Sequence, residues 1–495
     1  MTDTGRIGAA LSPLAASALA FRPAPFGRAD ELALIRQIDR AHLVMLAETG
    51  LISSKTAPQL LTEIDALAAT GFAALETAAA PRGLYLLYEA HFVAELGDAF
   101  GGALHTARSR NDLNATLLRL RLRTPVESLI RALLRLIAVL LAQARRFADT
   151  LMPIHTHGQP ALPGSYGHSL AGFAQPLLRS AEALTAWLDG DFAHCPLGAG
   201  AAGGTSLAIE PKTTARLLGF AAPVPHAIDA VAARDFALRL LGEAAIVGTT
   251  LSRMALDLQS WASPPALVDL PDTLVGSSSM MPQKRNPYLL EHIQGRASRA
   301  LGAFTAAIAA SHAAPYSNNI AAGTEAMTGL WDALADSTSA GMLMEAMVRG
   351  ARPRAAAMQA RAEAGLVEAT EIANRLVRTG MSFRRAHHLV GATIRAVLEA
   401  DPLAAGAEVI AALAAQLPEA VLRGIDPRTT MIANAYGGGP GSWRSRAAFA
   451  PDLARLGACR AKLAEHVARW RDADAALDAA ATRLISADKR LRKAG

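Results

Sequence analysis

The chain has 495 residues, 51% hydrophobic, 19% charged and 5% aromatic, which suffices for a large core or two to three domains and excludes a disordered tail or a mini-protein. Lys and Arg number 49 against 43 Asp and Glu, a net charge of +6; the basic residues are scattered, a balance that suits an anionic small substrate at least as well as nucleic acid. Cys195 and Cys459 lie far apart and match no metal-ligand spacing, which excludes a disulfide framework and a cysteine-based zinc site and makes a reducing cytoplasm the simplest location.

In chain order, residues 7–21 are apolar and rich in small residues, but Arg6 is a poor basic flank and Pro13 interrupts the run, which argues against a secretory signal. The loop HTARSRND (105–112) follows. Residues 126–148, after Pro125, read as a helix, and their most apolar part, 129–141, carries Arg131 and Arg135 and falls short of a membrane span; it predicts a buried bundle helix. The loops HTHGQPALPG (155–164) and PLGAGAAGGTS (196–206) precede a second long helix over 229–262. GSSSMMPQKRNP (276–287) leads into a third over 287–312, where Asn286 can cap and Pro287 occupies the first turn. From about residue 351 an Ala-rich tail, interrupted by YGGGPGS (436–442), predicts a smaller helical domain. Strand signals are nearly absent. The expected fold is all-α: an elongated central bundle (106–355) that oligomerises, flanked by helical domains at 1–105 and 356–495.

Chemistry is expected in the loops, where Gly, Ser, Thr, Asn and His concentrate on rigid helices. GSSSMMPQKRNP lacks Walker A spacing, yet its serines, Lys284 and Asn286 ahead of a helix N-terminus suit a carboxylate or phosphate; a flexible connector with a capping asparagine is the bland alternative. HTARSRND could grip a second carboxylate or be a solvated helix start. His155 and His157, beside Gln159, find no third ligand at a recognisable spacing, so proton transfer is favoured over metal binding. Arg108, Arg110, Lys284 and Arg285 are the local charges that fit a dicarboxylate.

These motifs resemble those of a known group. GSSSMMPQKRNP is similar to the signature loop of the fumarase/aspartase superfamily, which breaks carbon-oxygen or carbon-nitrogen bonds by β-elimination. HTARSRND, PLGAGAAGGTS, DAVAARDF (229–236), MLAETGLIS (45–53) and FRRAHHLVG (383–391) resemble argininosuccinate lyase, over about residues 40–440. The resemblance implies a carbon-nitrogen lyase that releases fumarate from an N-substituted aspartate without metal or organic cofactor. It implies Ser278 as the base that removes the Cβ proton, Thr156 and His157 in proton transfer with Glu291 as carboxylate partner, and Lys284 and Asn286 on the carboxylate that becomes the aci-carboxylate. Ser109, Arg110 and Asn111 would form the other carboxylate clamp, with Gln159, Ser279, Met281 and Tyr316 also touching substrate. A cytoplasmic homotetramer with active sites shared among three subunits is implied, with no nucleic acid or membrane partner.

The pattern departs on the amine side. THGQPALP lacks the arginine and second glutamine of the family's histidine loop, Ala321 and Thr324 stand where a glutamine and a lysine contact the arginine half of the substrate, and Ala24 replaces a serine. This profile suggests another amine adduct, as in the ethylenediaminedisuccinate lyase type. The alternatives are argininosuccinate lyase proper and, from a different class, a non-catalytic crystallin-like structural protein.

Overall fold

The computed structural model describes residues 27–494 except 81–82, 403 and 405; segment 7–21 and Ala24 lie outside the described residues. Helices α1 (Arg28–Glu48), α2 (Thr56–Ala69) and α3 (Leu84–Leu96) enclose a core containing Leu32, Ile35, Leu60, Tyr88 and Phe92. Helix α4 (Arg110–Arg146) then runs for 37 residues, roughly 55 Å at the usual helical rise. Helices α5 (Tyr166–Asp189), α6 (Asp235–Ala262), α7 (Tyr288–His312) and α8 (Leu330–Gly350) complete a five-helix bundle around it. Leu129, Ile130, Leu133, Leu136, Ile137, Leu140 and Leu141 of α4 are wholly buried, each contributing roughly 1.5–3 kcal/mol by burial. The all-α expectation holds.

Side-chain contacts fix the direction of each helix. The Arg119 guanidinium lies 4.1 Å from the Phe236 ring centre, so α6 starts beside the start of α4, which we term the near end. The rings of Phe147, Tyr166 and Trp261 form a chain with spacings of 5.6 and 6.0 Å, so α6 finishes beside the end of α4, the far end. Helix α7 descends against α6, so close that a Cβ on Gly248 would stand 3.2 Å from the Ala297 Cα. Helix α8 climbs again, with Glu345 paired to Arg135 at 3.4 Å. Ile246, Leu256, Leu301, Ile308 and Met342 stay 43–55% exposed on α6, α7 and α8, leaving an apolar flank uncovered in the single chain.

Several expectations need correction. Helix α4 does not begin after Pro125 but passes through it; a proline inside a helix costs about 3 kcal/mol, and the buried apolar residues on both sides, Leu122 and Val126 among them, outweigh that cost. The helix expected over 229–262 breaks at Ala233–Arg234, where the Arg234 guanidinium donates to the carbonyls of Val231 and Ala233 at 3.0 and 2.7 Å. Asn286 does not cap α7, because it pairs in a two-residue strand with Gly276 and Pro287 takes the cap position.

The histidine loop is a hairpin rather than an open loop. Strands β1 (Leu151–Thr156) and β2 (Gln159–Ser165) pair antiparallel, with an irregularity at Ile154/His155. Otherwise strands among the described residues are two-residue pairs.

The stretch 356–495 divides its allegiance. Helices α9 (Ala369–Arg378), α10 (Phe383–Ala400) and α11 (Gly406–Ala414) share a core of their own with Ile372, Leu376, Val390 and Leu413. Helix α12 (Ala450–Ala494) instead sends Cys459, Leu463 and Trp470 into the bundle core and Leu477 and Ala481 into the N-terminal one. No helix among the described residues is long and apolar enough to cross a membrane.

Candidate active site

Two sets of candidate residues lie at opposite ends of the bundle. At the near end Ser109 is the N-cap of α4: its hydroxyl oxygen accepts from the Asn111 N–H at 3.2 Å, and the Asp112 carboxylate closes a capping box on the Ser109 N–H. The Ser109 hydroxyl proton thus stays available to an incoming carboxylate, and Arg110 is exposed beside it. Asn111 donates to the Ala201 carbonyl and accepts from the Asn318 amide, both at 3.0 Å. Its second N–H can serve a ligand.

Tyr316, 66% exposed, donates its hydroxyl to Asp229 at 2.5 Å, and that bond, with some burial, pushes the phenol up to about 12. Its proton is spent on Asp229, which leaves its oxygen as an acceptor. Asn318 and Asp229 went unrecognised as site residues in sequence reading. The polar YSNN run and the DAVAARDF motif were the signals available.

A buried charged network backs this end. Arg108 donates to Asp39 at 2.5 Å and to the Tyr85 hydroxyl at 2.6 Å. Tyr85 stands 3.1 Å from His105 Nδ1, and with Arg108 donating to it, the phenol proton goes to a neutral imidazole. Burial, then the charges of Arg108 and Arg110, hold His105 down at about 4. Burial pushes Asp39 up to about 6 against the pull of Arg108. Arg108 therefore anchors the turn and is not a substrate ligand.

At the far end Thr156 and Gln159 close the hairpin as its last pair, with His157 and Gly158 as a two-residue turn. Both turn residues have positive φ, +52° and +75°, as a type I′ turn requires. For a histidine this is an uncommon backbone region, and it holds His157 at an exposed tip. His155, a half-buried neighbour, sits at the hairpin irregularity; burial first, then the Arg361 charge, lower its pKa.

In the loop 276–287, the Ser278 hydroxyl oxygen accepts from the backbone N–H of Met281 at 3.0 Å and of Met280 at 3.4 Å. Two amides thus point at the one oxygen that would carry charge as an alkoxide. The Lys284 N–H donates to the Met281 carbonyl, and the Asn286 amide reaches the Ser277 carbonyl at 3.4 Å. Arg285 donates to Asp269, Asp272 and the Leu270 carbonyl, so it roots the loop. Ser279, Met281, Lys284 and Glu291 are exposed, with Glu291 in the first turn of α7.

Helix α4 separates Asn111 from the His157 hairpin, and the 25 residues of α7, roughly 37 Å long, separate Asn286 from Tyr316. Among the described residues no hydrogen bond or ion pair joins Ser278, His157 and Glu291 to one another, and no group of three or more His, Cys, Asp or Glu could hold a metal. One chain brings Ser109, Arg110, Asn111 and Tyr316 together. It does not bring them to Ser278 or His157.

Comparison with known proteins gives the family. A family model described as Lyase matches residues 62–302, and one described as Argininosuccinate lyase C-terminal matches 366–431. Argininosuccinate lyase of Methanothrix thermoacetophila is 33% identical over 413 residues, covering 81% of this chain and 83% of its own. The enzyme of the same name from Thermus thermophilus is 37% identical over 369 residues, with 73% and 78% covered. Among solved structures, EDDS lyase in complex with formate superposes with a TM-score of 0.84 at 26% identity, over 99% of both chains. Class II fumarase of Schistosoma mansoni shares the fold, with a TM-score of 0.62, 17% identity and 80% and 92% coverage.

Proposed function

The chain belongs to the argininosuccinate lyase family of the fumarase/aspartase superfamily and is a carbon-nitrogen lyase that releases fumarate from an N-substituted aspartate; from that premise we propose that Ser278 is the base and that each active site is assembled from several copies of the chain. The observation that carries the reading is the pair of amides aimed at the Ser278 oxygen.

A serine serves as base near neutral pH only if its pKa falls by roughly 6 units, on the order of 8 kcal/mol. Pre-aimed amides, Lys284 six residues on and water exclusion on assembly supply that stabilisation. Ser278 takes the Cβ proton, and the electron pair flows into the adjacent carboxylate, held by Lys284 and Asn286. The pair then returns to form the carbon-carbon double bond as the carbon-nitrogen bond breaks. His157, supported by Thr156 and by Glu291, supplies the proton that leaves with the amine. Ser109, Arg110 and Asn111 hold the other carboxylate, while Gln159, Ser279 and Met281 line the site and Tyr316 accepts from the substrate amine.

A cytoplasmic homotetramer accounts for both the uncovered apolar flank of α6–α8 and the separation of the two residue sets. The amine half is read differently from argininosuccinate. Ala321 lies in a short turn whose N–H is capped by Asn319; its methyl makes no hydrogen bond, and Thr324 offers a single short hydroxyl.

The test is a screen by fumarate absorbance, in cleavage with aspartate adducts and in addition with fumarate plus arginine, diamines and amino acids. We expect turnover with a non-guanidino amine exceeding that with arginine. Preferred turnover of argininosuccinate would overturn the substrate assignment, and silence with every partner would overturn the enzyme reading.

A further inference from the structure

The glycine-rich loop 196–206 has no part in the chemistry above, yet it wraps around a buried carboxylate. Asp112 is fully buried. Its Oδ1 accepts from the N–H groups of Ser109 and Leu113 at 3.1 and 3.0 Å, and its Oδ2 from those of Gly198 and Gly200, both at 3.0 Å. Gly198 and Gly200 have φ of +112° and +59°, which turns their amides into one concavity, a backbone anion nest. The nest is already occupied by the protein's own anion, so it is not a site for an external phosphate. Between the two glycines and the helix, the Ala201 carbonyl takes the amide of Asn111.

We propose that Asp112 is a positioning residue for dicarboxylate binding: it locks the Ser109 turn to the glycine loop, and through the Ala201 carbonyl it sets the orientation of Asn111. This rests on the reading of Ser109, Arg110 and Asn111 as a carboxylate clamp. All four N–H groups around Asp112 are donors, and a carboxylate accepts at both oxygens. An asparagine has one oxygen, so whichever way its amide turns, its NH₂ faces two backbone N–H groups and one side of the lock opens. The consequence falls on the clamp and not on the Ser278 loop, which stands at the other end of the bundle.

Two variants of the intact oligomer test this from opposite sides. Asp112→Asn opens the lock at the carboxylate. Gly200→Ala opens it at the loop, because a Cβ there meets the Gly204 carbonyl oxygen at 2.8 Å on a positive-φ backbone. Succinate binding by calorimetry and the KM for fumarate in the addition direction are the readouts. Each variant should weaken both by about tenfold, the scale of one charge-assisted hydrogen bond, with kcat changed less than about fivefold on the same principle and the double variant weaker by less than the product of the singles. Should Asp112→Asn fail to assemble, Gly200→Ala alone decides. Wild-type binding of succinate with unchanged affinity in the variants, or losses confined to kcat, would overturn the proposal alone. A wild-type enzyme that neither binds succinate nor turns over fumarate would overturn the lyase reading and the proposal with it.

Discussion

At the near end of the bundle, the clamp residues Ser109, Arg110 and Asn111 are flanked by buried charge: Arg108 on Asp39 to one side, Asp112 on glycine amides to the other. At the far end, half-buried Ser278 stands in an irregular loop and His157 at an exposed turn, each held by local bonds. The difference divides labour. Binding a carboxylate needs donors fixed before the ligand arrives, and buried ion pairs and nests fix them. A base and an acid that work only when water is excluded can stand on such loops and turns until other copies of the chain cover them. In the assembly we propose, the near end is finished within one chain and the far end is completed by its neighbours.

The largest expected effect breaks the far end. Ser278→Ala should lower fumarate turnover by about a thousandfold, within the range of general base catalysis, with the helical circular dichroism and succinate affinity retained. Activity above a few per cent of wild type would remove Ser278 from the role of base. Next, Arg108→Met strikes the near end by leaving Asp39 buried without its partner. A loss of about 3 kcal/mol in denaturant unfolding is expected, with Asp39→Leu/Arg108→Met recovering much of it; a loss under about 1 kcal/mol would show that the network is not what holds the turn.

Arg285→Ala sharpens the contrast. Its carboxylate partners are exposed, so kcat/KM should fall by about tenfold or less, far less than for Lys284→Ala measured alongside. Equal losses would place Arg285 among the substrate ligands.

The smallest effect is in pH dependence. His105 is held at about 4 and His42 well below its usual value, both chiefly by burial, so between pH 4 and 6.5 the unfolded chain binds more protons than the folded one at these sites. Their contribution to stability is complete above pH 6.5 and is lost as pH falls toward 4. Asp39, raised to about 6, works the other way, since the folded carboxyl takes up its proton first. His105→Gln should therefore show a shallower fall in Tm between pH 7 and pH 5 than wild type; an unchanged slope would exclude His105.

Much of this was legible in the chain itself. Pro287 before an apolar period and a leucine-rich stretch over 129–141 are local signals of helices, whereas the start of α4 lies not after Pro125 but at Ser109, where Asp112 three residues on closes a capping box. The His157 hairpin was not legible, because Pro153, Pro160 and Pro163 suppress any strand pattern and only the His157-Gly158 turn encodes it. Nor could the four loop cations be sorted: the partner of Arg108 lies 69 residues away and that of Arg285 across the loop at Asp269. Which loop cation serves structure is set by residues far along the chain or across the loop, beyond the reach of local pattern.

In the proposed assembly no single chain contains the whole site. The direct measurement mixes two impaired parents, Ser278→Ala and Asn111→Ala, after dissociation and reassociation, and follows fumarate absorbance at substrate concentrations well below the wild-type KM. Because α4 and the bundle hold these residues at opposite ends, hybrid oligomers should contain some sites with both residues intact and show more activity than either parent. Mixtures no more active than the average of their parents, while sedimenting as true hybrids, would show that each site is built within one chain.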